Sequence, residues 1–215
     1  MSLKTQKPPP WLALAWWVPP AKLPAIPSWA ATRAAAIEAP ADRLISAGEN
    51  SGRMGVIDRW VLSNTVQWLS RHKKHLKNTQ FVCMNLSGAS LNDEKFIQDV
   101  FSTLEENIHI AKHLCLEITE SVALHDLQNT RRFIDQVRQY GAKVALDDFG
   151  AGYTSFSYLK DLPGDLLKID GSFIVNMNQH PANIAIVEAI VAVVARLGAF
   201  ELRIASVFLF VSNDL

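Results

Sequence analysis

Cysteine, long apolar runs and an excess charge of either sign are all scarce in this chain. Only Cys83 and Cys115 occur, each inside an apolar run and without the spacing of metal ligands. That argues against a disulfide framework or a thiolate metal centre and reads as buried thiols of a reducing, cytoplasmic compartment. No apolar run reaches the roughly 18 residues that a membrane-crossing helix needs. The nearest, Ile184 to Gly198, carries Glu188 and Arg196 and reads as a buried helix. Lys+Arg and Asp+Glu both number 21, so the basic surface of a nucleic-acid coat is missing. The histidines at 72, 75, 109, 113, 125 and 180 have no ligand spacing and are given no role.

Acidic residues are absent before Glu38, while eight of the ten prolines and four of the six tryptophans lie in residues 1–40. Prolines there would break any long helix, and no sustained period supports a strand. MSLKTQKPPPWLALAWWVPP has lysines before a short apolar core, as a signal peptide does, but prolines bracket that core and no A-x-A site follows. Residues 1–40 are therefore read as an atypical Pro/Trp-rich segment, 41–198 as the folded domain, and 199–215 as an atypical tail.

From residue 41 the text becomes regular. MGVIDRWVLSNTVQWLSRH (54–72) carries Ile57, Val61, Leu62, Val66 and Leu69 at helical spacing. QFVCMNLS (80–87) reads as a strand, NDEKFIQDVFSTLEE (92–106) as a helix opening on an Asn92 cap, and KHLCLEIT (112–119) as a second strand. DLQNTRRFIDQVRQYG (126–141) is a helix closed by Gly141; AKVALDD (142–148) and GDLLKID (164–170) are strands three and four. A long apolar helix follows at 182–197, and Val207–Val211 could form a fifth strand. Strands alternating with helices every 20 to 30 residues or so predict βαβ units and a parallel sheet, either open and doubly wound or a (β/α)8 barrel. About four βα units are clear.

Each strand places a polar group near its C-terminal end: Asn85, then Glu117, Thr119 and Glu120, then Asp147 and Asp148, then Lys168 and Asp170. In parallel α/β folds, ligands and catalytic groups gather at that edge. Asn85, Glu117, Asp147 and Asp148 form an all-oxygen set, suited to Mg²⁺, Mn²⁺ or Ca²⁺ rather than zinc. A divalent ion would also reconcile the adjacent carboxylates of Asp147 and Asp148. Two such ions about 4 Å apart would clamp a phosphodiester, with Lys168 stabilising charge or orienting the nucleophile. Plainer readings are that Asp148 caps a turn, that Glu117 pairs with Lys168, and that Asp170 caps the turn at Gly171. Asp148-Phe149-Gly150 matches the kinase D-F-G, but no other kinase motif accompanies it.

ENSGRMGVIDRWVL (49–62), MNLSGASLND (84–93), LCLEITES (114–121), VALDDFGAGYTSFSYLKDLPGDLLKIDGSFI (144–174) and IVEAIVAVVARLG (186–198) together resemble the EAL domain family, the cyclic di-GMP phosphodiesterases of bacterial signalling. The resemblance implies a TIM-barrel-like (β/α)8 fold and hydrolysis of cyclic di-GMP to pGpG with Mg²⁺ or Mn²⁺. It implies metal-site roles for Asn85, Glu117, Asp147 and Asp148, a place beside the nucleophilic water for Lys168, and anchoring of the DDFG loop by Glu120. It also implies homodimerisation through that loop.

Two departures stand out. The glutamate of the family's Glu-Ala-Leu strand should lie within about residues 20–30, where PAKLPAIPSWA has no acid. The A-E-G-V-E strand after the apolar helix is replaced by ELRIASVFLFVSNDL. PADRLISAGENSG (40–52) resembles the family's helix-entry segment, and the flanks read as text from a shifted frame or a broken gene. The expectation is a cyclic di-GMP phosphodiesterase domain of incomplete barrel and impaired activity. The rivals are a catalytically inactive cyclic di-GMP-binding or protein-interaction module and, from Lys168 alone, a Schiff-base lyase. An incomplete barrel would expose strand edges and be marginally stable.

Overall fold

The computed structural model describes residues 41–73, 76, 80–152, 156–175, 177–198 and 200–204. The Pro/Trp-rich segment and the expected strand at Val207–Val211 lie outside them. The chain divides into two compact units: residues 41–117 with 135–143, and residues 118–134 with 144–204.

The first unit opens with helices α1 (Ala41–Asn50) and α2 (Met54–Arg71). α2 buries Val61, Leu62, Val66 and Leu69 of the expected stripe together with Thr65, while Ile57 is only half-buried. Strand β1 (Val82–Asn85) leads through a single turn, Gly88–Leu91, to α3 (Glu94–Glu106), and strand β2 (Leu114–Thr119) follows. β1 and β2 pair in parallel, with Val82 opposite Leu114, Cys83 opposite Cys115 and Asn85 opposite Glu117. The cap of α3 is Asp93, whose carboxylate accepts the Lys95 N–H at 3.0 Å. Asn92 was the expected cap, but it closes the preceding turn and donates to the Gly88 carbonyl at 2.9 Å. Asp and Asn are equally good caps, so the competing bond to Gly88 decides between them. Phe96, Val100 and Leu104 of α3 are buried with Met84 and Leu116 of the strands.

The second unit takes up the end of β2 and continues through α4 (Glu120–His125) and α5 (Leu127–Gln139), whose last turn belongs to the first unit. Gly141 follows α5 at φ 84, the left-handed stop read from sequence. Strand β3 (Lys143–Phe149) and strand β4 (Leu166–Ile169) pair in parallel, with a register shift between Leu146 and Phe149. Helix α6 (Pro181–Leu197) follows, then strand β5 (Glu201–Ile204), which pairs in parallel with β4 from Leu166–Glu201 to Ile169–Ile204. The fifth strand of the described residues is thus ELRI, too short and too charged to announce itself. Sequence predicts α6 as a buried helix. Only Ile190 and Val194 are buried, and Ile184, Ile186, Val191 and Leu197 are exposed. No helix among the described residues is long and apolar enough to cross a membrane.

Candidate functional site

In the first unit, Asn85 ends β1 and lies in register with Glu117 of β2, which is buried. One step back along the same face, Cys83 lies opposite Cys115. Both thiols are free and buried, as sequence predicts. The hydrogen bond of the Cys83 thiol to Cys115, burial and the nearby Glu117 carboxylate all push that thiol up, so it stays protonated.

The loop leaving β1 is held by a residue that sequence analysis passed over. Asp58 of α2 is buried, and one carboxylate oxygen accepts both the Ser87 N–H at 2.9 Å and the Ser90 hydroxyl at 2.6 Å. Ser87 in turn caps the Gly88–Leu91 turn. A signal was present: Asp58 sits three and four residues before Val61 and Leu62, on the face that α2 buries. A carboxylate there needs donors, and the serines of NLSGAS supply them.

In the second unit, Asp147 and Lys168 come together on adjacent parallel strands. Lys168 Nζ lies 2.6 Å from Asp147 Oδ2, and both side chains are buried. The other Asp147 oxygen accepts the Asp148 N–H at 2.9 Å. Lys168 therefore forms an ion pair with Asp147. Asp170 caps the turn as expected, accepting the Ser172 N–H at 2.8 Å.

Asp148 is exposed and takes the left-handed backbone, φ 55. Among the described non-glycine residues it is alone in this. Aspartate tolerates the conformation better than most residues, at some cost. Its carboxyl is raised above the ordinary carboxylate range, first by partial burial, then by Asp147 and Asp170, with Lys168 opposing. Three carboxylates around one ammonium leave surplus negative charge at this strand end.

Glu120 opens α4 and is buried. Its Oε2 accepts the Gly150 N–H at 2.9 Å, and its Oε1 accepts the Tyr158 hydroxyl. Burial and this carboxylate push the Tyr158 phenol well up, so it remains a donor. Tyr158 had no role in the sequence analysis.

The donors present are hard oxygens of the kind that bind a divalent cation. Among the described residues, no three His, Cys, Asp or Glu side chains gather as a metal-holding group. Asp147 already spends one oxygen on Lys168 and the other on a backbone amide. β5 ends on Ile204, followed by Ala205 and Ser206, so it brings no carboxylate to its C-terminal end.

Parallel strands alternating with helices, with polar groups at the C-terminal strand ends, fit the class of TIM-barrel-like α/β proteins. The EAL domain family model matches residues 21–200, extending upstream of the motifs that begin at Glu49 and stopping just before β5. The chain belongs to the EAL domain family. It is 35% identical over 154 residues to the cyclic di-GMP phosphodiesterase PdeB of Shewanella oneidensis, covering 72% of this chain and 18% of that one. This chain thus spans less than a fifth of that relative's length. The PaMucR phosphodiesterase in complex with cyclic di-GMP is similar in structure, with TM-score 0.66 and 30% identity over 75% of this chain and 69% of that one. The FimX EAL domain of Pseudomonas aeruginosa bound to cyclic di-GMP has TM-score 0.64 and 25% identity, covering 76% and 65%.

Proposed function

We propose that this chain is a cyclic di-GMP phosphodiesterase domain of EAL type whose hydrolytic activity is impaired. Membership of the family and the cyclic di-GMP held by similar structures support the substrate. Asn85, Glu117, Asp147 and Asp148 are the residues that would hold Mg²⁺ or Mn²⁺, an assignment supported by their all-oxygen chemistry. Such a cation, when bound, lowers the pKa of water and neutralises phosphodiester charge. Lys168 would hold Asp147 in place and present positive charge toward the phosphate. Glu120 would fix the DDFG loop. Homodimerisation through that loop belongs to the same reading.

The observation that carries the impairment is the engagement of Asp147 by Lys168 beside an incomplete acid set. A carboxylate already paired with an ammonium, as Asp147 is, attracts a divalent ion less strongly than a free one. The first test is turnover of cyclic di-GMP with Mn²⁺, following pGpG by chromatography. Slow, metal-dependent product that vanishes in Asp147→Ala is the expected result. No product together with retained cyclic di-GMP affinity would replace this reading with a binding module, the second reading that the incomplete acid set favours.

A further inference from the structure

We propose that Tyr158 is a positioning residue for the Asp147–Asp148 strand end, acting through Glu120. The inference rests on reading that strand end as the site, and every group involved lies in the second unit.

Asp148 cannot hold φ 55 unaided, because a left-handed residue near the end of a strand costs free energy that its surroundings must offset. Two restraints meet just beyond it. Gly150 has φ 95, and a side chain there would meet the Phe173 ring at 2.8 Å, so the backbone is packed against that ring. The Gly150 N–H is bonded to Glu120 Oε2, which fixes the orientation of the 149–150 peptide.

That bond is only as well aimed as the carboxylate that receives it. Donors on both oxygens set the plane of a buried carboxylate. Tyr158 donates through its hydroxyl to Oε1, the oxygen that Gly150 does not engage. The phenol is itself held in place: its ring is buried and lies 6.5 Å from the Phe149 ring, which also packs on Phe156 at 5.9 Å. Phe149 is the residue between Asp148 and Gly150. One tyrosine therefore grips the loop twice, by its ring on Phe149 and by its hydroxyl through Glu120. The hydroxyl contributes aim rather than burial, since the ring alone would fill the space.

Tyr158→Phe removes the hydroxyl and keeps the ring. Under native conditions, hydrogen exchange at the Gly150 amide should speed up about tenfold, while amides of β3 and β4 keep their protection. In Glu120→Gln the same amide should exchange faster, and adding Tyr158→Phe to Glu120→Gln should change it little further, because the tyrosine acts through that carboxylate. Mn²⁺ titration followed by electron paramagnetic resonance should show affinity lower in Tyr158→Phe by about tenfold, at the low end for groups that orient metal ligands. Wild-type exchange at Gly150 in Tyr158→Phe, or fully additive effects in the double variant, would overturn the proposal. If the unmodified chain binds no Mn²⁺, the functional reading loses its metal, while the exchange measurement still decides the role of Tyr158.

Discussion

Asp58 in the first unit and Asp147 in the second are both buried aspartates, and the chain satisfies them differently. Asp58 receives neutral donors, a backbone N–H and a serine hydroxyl. Asp147 receives an ammonium and a backbone N–H. A carboxylate held by neutral donors offers no counter-ion to exchange; it is an anchor. A carboxylate paired with a lysine sits where positive charge is already welcome, and there a metal or a phosphate can enter the balance. The two aspartates thus separate holding a loop from presenting charge.

The largest effect should come from Lys168→Met. It leaves a buried carboxylate with a single backbone donor, and losing one partner of a buried pair typically costs about 3–5 kcal/mol. Urea unfolding would read this as a lower midpoint. Asp58→Ala should cost less, about 2 kcal/mol, because it strands the Ser87 N–H and Ser90 hydroxyl but no charge. Equal losses in the two variants would erase the distinction between anchor and charge-bearing site.

The smallest effect should be a gain. The Asp148 carboxyl is raised above its ordinary value of 3.8, so the folded chain holds that proton more tightly than the unfolded chain does. Stability from this group is therefore complete below the ordinary value and is lost as pH rises through the raised one. Asp148→Asn removes the loss while keeping a residue that accepts the left-handed backbone. Its Tm should exceed the parent's at pH 7, and the difference should shrink toward pH 4. A destabilised Asp148→Asn at pH 7 would mean that the carboxylate is better compensated than its neighbours suggest.

Much of this was legible in the sequence. The period-3.6 stripes of α2 and α3, the glycine stop at Gly141 and the polar strand ends follow from local rules, and the structure has them. Three features were not legible. β5 depends on β4 as its partner, and four residues of mixed polarity carry no pattern of their own. The exposure of α6 depends on what lies beside it, which apolar composition cannot reveal. The hold of Tyr158 on Glu120 spans 38 residues, and neither side chain marks the other in the text. The Asp147–Lys168 pair is intermediate: both residues stood at strand ends, yet their meeting was a matter of how β3 and β4 pair.

The left-handed backbone at Asp148 also has a genetic meaning. Glycine and asparagine are the two residues that such a backbone accepts most readily, and each lies one base change from an aspartate codon. The easiest mutations at this position are therefore ones that the fold tolerates while the carboxylate is lost. A lineage could silence this strand end without unfolding its protein, and could later restore it by the same single step.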